Sequence, residues 1–229
     1  MGTYAIPAAQ ASADVRQQFI RRTYLHLAAA VLAFIAVEAL LLRWSGAGSL
    51  IGLMTGGYAW LITLGAFMGV STLAERWARS DTSQGTQYLG LGVYVLAQAV
   101  IFLPLLYVAA YYSSPDVIPT AGLITATLFA GLTFTAFTSG TDFSFLRGAL
   151  TIGGFVALGL IVVSIVFGFS LGLIFSAAMV VFAAASILYQ TSNVIRDYRT
   201  DQHVAAALAL FASVALLFWY VLRIVSSRR

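Results

Sequence analysis

Seven times along the chain, about twenty residues pass with hardly a charged side chain. A helix of that length, rising 1.5 Å per residue, crosses a hydrocarbon core of about 30 Å. The runs are continuous rather than alternating, which makes them helices and not barrel strands. They fall at about Thr23–Leu42, Gly57–Ala74, Gln87–Tyr111, Val117–Thr138, Gly148–Phe167, Leu171–Gln190 and His203–Ile224. Hydrophobic residues make up 61% of the chain and charged residues only 9%, whereas soluble domains carry about a quarter charged residues. The sequence thus predicts an all-α integral membrane protein, with a polar tail over residues 1–18 and a single seven-helix domain over residues 19–229.

The positive charge consists of arginine alone, twelve against eight acidic residues. An odd number of spans puts the termini on opposite sides. The N-terminal face then receives Arg16, Arg21, Arg22, Arg76, Arg79, Arg147, Arg196 and Arg199, and the other face Arg43, Arg223, Arg228 and Arg229. The positive-inside bias places the N-terminus in the cytoplasm and the C-terminus outside. No basic tract supports nucleic acid binding, and the excess charge reads as loops facing lipid headgroups. Cysteine is absent, which excludes disulfides and thiolate metal sites. The tail, Met1 to Gln18, has no apolar core or small-residue cleavage site of a signal peptide. It is a candidate contact for a membrane-protein partner.

Local signals refine the spans. Pro104 predicts a kink in the third. The threonines of the fourth, from Thr120 to Thr138, can bond back to their own helix. Asp142 is placed to cap the helix that follows. Small residues four apart (Gly52 and Gly56, Gly65 and Gly69, Gly168 and Gly172, and Ala205, Ala209, Ser213) predict close helix approach, above all on the seventh span.

Motifs of nucleophilic, metal or nucleotide chemistry are missing, so the sequence predicts no enzyme and no cofactor. The two histidines, His26 and His203, each open a span and read as interfacial side chains. Glu38 is the one acid inside a span. It is either a proton or cation group, or a side chain that snorkels to the surface near Arg43. Polar groups gather where the sixth span ends: Ser186, Gln190 and Asn193 share a helix face, Asp197 and Asp201 follow, and Ser213 interrupts the seventh span. They read as interhelical glue or as the lining of an ion or proton path.

The stretch ILYQTSNVIRDYRTDQHVAAALALFASVALLFWYVLRI resembles the C-terminal signature of the Bax inhibitor-1/YccA-like family, also called the transmembrane Bax inhibitor motif family. TSGTDFSFLRGAL and RQQFIRRTYLHLAAAVL are similar to two further segments of its pattern, so the resemblance covers about Phe19 to Arg223. It implies six helices surrounding the last one, in a bacterial cytoplasmic membrane, and pH-sensitive leakage of calcium tied to stress tolerance. The family's pH sensor is a pair of aspartates, which align here with Gln190 and Ser213. Neither group titrates, so the resemblance carries no proton switch to this pair, and calcium prefers carboxylate oxygens. YccA-type relatives also lack the pair, and for them the expectation is modulation of a membrane protease or of membrane-protein quality control. The candidate gate or pathway residues are therefore Gln190, Ser213, Glu38, Asp197, Asp201, Ser186 and Asn193, and the implied partners are the bilayer and calcium or protons.

Overall fold

The computed structural model describes residues 6–80 and 83–227, and every regular element among them is helical. In chain order they are α1 (Ala13–Arg43), α2 (Ala47–Thr55), α3 (Ala59–Ala78), α4 (Gln84–Tyr111), α5 (Val117–Thr138), α6 (Leu146–Phe167), α7 (Gly172–Arg196) and α8 (His203–Ser227). Short 3-10 turns at Ala8–Gln10 and Phe143–Phe145 precede α1 and α6.

Six of these elements are long and apolar enough to cross a membrane. α3 passes that test only together with α2, from which it is bent by 98°. The outer surface fits a lipid solvent. Leu53, Ile62, Leu123, Phe155 and Ile174 all stand exposed, and an apolar surface this broad is foreign to a water-soluble monomer.

α8 is the most buried of the spans. Of its most apolar window 67% is buried, against 11% for the span that contains α6. It packs on α1, α3, α4, α5 and α7. Its composition permits this: Ala205, Ala206 and Ala207 are all buried and keep neighbouring backbones close. Farther along, Phe211 meets Phe34 of α1 and Tyr94 of α4 edge-on, and Trp219 meets Phe102. α6 lies outside this arrangement and joins mainly α7, with Ala157 in a small cluster with Met179 and Tyr220.

Several sequence expectations shift. α1 begins ten residues before Thr23, so the tail of residues 1–18 is divided. Met1 to Ala5 lie outside the described residues, Ile6 to Ser12 dock on the body, and Ala13 to Gln18 are already helix. The docking is through backbone: Ala8 N–H donates to the Tyr198 carbonyl at 2.9 Å and Thr200 N–H to the Ile6 carbonyl at 3.1 Å. α7 runs six residues beyond Gln190, because Thr191, Ser192 and Val194 are buried and continue its packing face.

The small-residue rows also resolve differently. A β-carbon added at Gly52, Gly65 or Gly69 would meet nothing within 4 Å, and Gly168 and Gly172 serve the turn between α6 and α7 with positive φ of 70° and 68°. The close approach is at Gly90 instead, where an added β-carbon would lie 2.5 Å from the Ala74 carbonyl oxygen. That contact locks α3 to α4.

Candidate functional site

A cavity of about 580 Å³ follows α8 along most of its length. The α8 wall is a stripe at helical spacing that includes Ala205, Leu208, Ala212, Leu216, Trp219 and Arg223. From Ala205 to Arg223 the stripe covers eighteen steps, or about 27 Å at 1.5 Å per residue, close to the thickness of a hydrocarbon core. The other walls are α3, α4, α6 and α7. At water's share of about 30 Å³, the volume holds on the order of twenty water molecules.

Most of the lining is apolar, and the polar groups occupy distinct levels. Glu75 of α3 and Arg79 just past its end stand at the end that shares a face with the N-terminal segment, where the Arg79 guanidinium lies 5.8 Å from the centre of the Tyr198 ring. Burial pushes the Tyr198 phenol above its ordinary pKa, and the charge of Arg79 pulls it back. Arg223 stands at the opposite end. Between them come Gln190, Ser186, Ser213 and Gln98.

Gln190 and Ser213 thus share a cavity, but the group that Ser213 faces is Ser186, one turn earlier on α7. The two hydroxyl oxygens are 2.9 Å apart. Ser213 donates to the Ala209 carbonyl at 3.1 Å. With one proton per hydroxyl, Ser186 must then be the donor to Ser213. Gln190 accepts from the Asn193 amide at a long 3.5 Å. The neutral bond that joins α7 to α8 is therefore serine to serine, and the Gln190 amide lies one turn along the cavity.

The charged candidates lie elsewhere. Asp197 is exposed at the end of α7, and Asp201 is exposed and paired with Arg199 at 2.7 Å. Glu38 neither snorkels nor lines the cavity. It continues the inward stripe of α1, Phe19, Thr23, Leu27, Ala30 and Phe34, and is only 4% exposed. Neither carboxylate oxygen has a hydrogen-bond partner among the described residues. Helix phase decides this, because three- and four-residue steps from Phe34 leave no outward route.

Two polar stations escaped the sequence reading. Gln98 is 7% exposed and its side-chain oxygen has no partner among the described residues. An amide within LAQAVIF was a legible signal for it. Glu75 falls one residue past the span Gly57–Ala74 that the sequence predicts, but α3 continues to Ala78. On the N-terminal face, Asp142 accepts from Ser144 N–H at 2.9 Å, as a cap should, and from the Ser192 hydroxyl at 3.4 Å. Arg196 donates to the Gly140 carbonyl at 2.8 Å, which fastens the DFSF segment to the end of α7.

A buried terminal helix flanked by a membrane-length cavity, inside a shell of apolar helices, defines a multi-pass helical membrane protein. A family model described as "Inhibitor of apoptosis-promoting Bax1" matches residues 16–229, and the chain belongs to that family, the Bax inhibitor-1 family. It is similar to the uncharacterized protein PA2604 of Pseudomonas aeruginosa, with 33% identity over 69% of this chain and 68% of the relative. It is also similar to the uncharacterized protein NMA0420 of Neisseria meningitidis, with 28% identity over 75% of each chain. Protein LIFEGUARD 4 of Arabidopsis thaliana is 26% identical over 95% of this chain and 88% of its own length.

Proposed function

We propose that this chain is a seven-span protein of a bacterial cytoplasmic membrane, N-terminus inside and C-terminus outside, that provides a leak path for calcium or another cation along α8. The count takes α2 with α3 as one broken span, and the distribution of arginines supports the orientation. The observation that carries the reading is the cavity itself, which follows α8 for about 27 Å past Gln98, Gln190, Ser186 and Ser213. Intramembrane polar groups at such a lining mark a pathway, since each costs free energy in lipid.

The side chains Ser186, Gln190 and Ser213 do not titrate, so this level of the path contributes no pH dependence of its own. The test is calcium entry into liposomes carrying the purified protein, measured at about pH 6 and about pH 8. Flux above empty vesicles is expected, and Ala212→Trp, which fills the cavity beside Ser213, abolishes it. No flux over empty vesicles at either pH removes the leak reading.

One observation favours a second reading, a non-conducting interaction protein that modulates a membrane protease or membrane-protein quality control. The lining has one carboxylate, Glu75, against the two guanidinium groups Arg79 and Arg223, a poor balance for a divalent cation. Removing the N-terminal residues then abolishes recovery of partners after crosslinking while vesicle flux stays at background.

A further inference from the structure

We propose that His26 and His203 form a proton-binding pair that fastens α1 to α8 at the N-terminal face while neutral and loosens that contact on taking up a proton. The site is distinct from the cavity along α8, and it stands whether or not the protein conducts.

The two rings come from helices far apart in sequence and meet edge to face, with centroids 4.9 Å apart. His26 Nδ1 lies 2.7 Å from the Arg22 carbonyl oxygen. A carbonyl only accepts, so Nδ1 carries the proton of the neutral ring. Nε2 then accepts from the Tyr88 hydroxyl of α4 at 3.2 Å, and the Tyr88 ring stacks on His26 at 5.5 Å. His26 is therefore complete as a neutral group. His203 is only 4% exposed, and its Nδ1 is buried without a partner among the described residues. A proton there would have no acceptor.

The surroundings act in the same direction. His203 is the first residue of α8, where the positive end of the helix dipole opposes an imidazolium. Arg22 of α1 adds a fixed positive charge one turn from His26. The nearby carboxylate, Asp201, is already paired with Arg199. From the other elements packed on α8, α4 offers Tyr88 and no ionised group, α5 has no charged residue, α7 ends in Arg196, and α3 brings Glu75 and Arg79 at the neighbouring cavity mouth. The docked residues Ile6 to Ser12 carry no titratable side chain. A first proton is thus bound against Arg22 and the dipole, and a second against the first as well.

A proton on either ring places its charge against the other, 4.9 Å away between centroids. His203 is also the one side chain of α8 whose ordinary pKa lies near neutrality, since the others that ionise are Tyr220 and Arg223. Acid therefore reaches the buried helix at its first residue, well away from Ser213.

The chain has two histidines and no cysteine, so both observables can be isolated. With ¹⁵N-histidine in lipid nanodiscs, the ring nitrogens of the wild type should show two separate midpoints. In His203→Gln the remaining His26 midpoint moves up. In His26→Gln the His203 midpoint moves up, which gives the same reading if the first variant fails to fold, and Arg22→Gln raises both. Spin labels on Gln18→Cys and Thr200→Cys should separate on going from about pH 7.5 to about pH 5.5 in the parent but not in His26→Gln. Midpoints that are the same with and without the partner ring, or a label distance unchanged by acid, overturn the proposal.

Discussion

Glu38 shows what a single residue can cost. It occupies the inward face of α1 with both carboxylate oxygens unpartnered, and a buried polar group without a hydrogen bond costs on the order of 1–3 kcal/mol. Glu38→Met, close in shape and without the polar head, should raise stability by about 1–3 kcal/mol in a detergent unfolding titration. Unchanged or lower stability would show that the carboxylate has a partner in the membrane. The sequence marked Glu38 as the lone acid within a span, but its direction depends on helix phase, and only the inward stripe from Phe19 to Phe34 settles it. The same limit explains Ser186. Spacing placed it on one face with Gln190, yet which of the two meets Ser213 depends on the register of α7 against α8, which no single helix reveals.

Between elements, the contact with least slack is that of α3 with α4. An added β-carbon at Gly90 would sit 2.5 Å from the Ala74 carbonyl oxygen and 2.6 Å from the Ala78 nitrogen. Backbone cannot swing aside as a side chain does, so Gly90→Ala should lower stability by about 1–3 kcal/mol in thermal unfolding. Gly65→Ala, with nothing within 4 Å, is the control and should be neutral or slightly stabilising. If the two substitutions behave alike, the helices are not in close contact there. The existence of the spans was legible because apolar runs of this length have one solution in lipid. Their pairing was not, since small residues are frequent here and spacing alone cannot separate a packed glycine from an idle one. The short α2 and its 98° bend into α3 were likewise hidden, because an apolar stretch with glycines reads as the flank of a span.

At the scale of the molecule, the N-terminal face is held by polar fastenings and the interior by apolar packing on α8. One fastening is a carboxylate. The Asp142 carboxyl is held below the ordinary aspartate range, chiefly by the Ser144 N–H and further by Arg196 and Ser192. A lowered folded-state pKa gives stability that is present above the ordinary value and lost as pH falls through the lowered one. Thermal unfolding followed by circular dichroism should thus show an acid-side loss below about pH 4 that Asp142→Asn flattens. An identical acid limb in the variant would remove Asp142 from that account. Asp142 as a cap was readable from TDFSF. Its hold on α7 through Ser192 was not, since the two residues are fifty positions apart.

The helix on which α1, α3, α4, α5 and α7 converge follows all of them along the chain. Until its final residues emerge, the earlier spans surround an unfilled axis and have only lipid or one another to cover their inner faces. The stitch from Ile6 and Ala8 to Tyr198 and Thr200 likewise joins the segment before α1 to the one before α8. Closure of this bundle accordingly waits for α8, and a truncation that removes α8 should leave a protein that inserts and never matures.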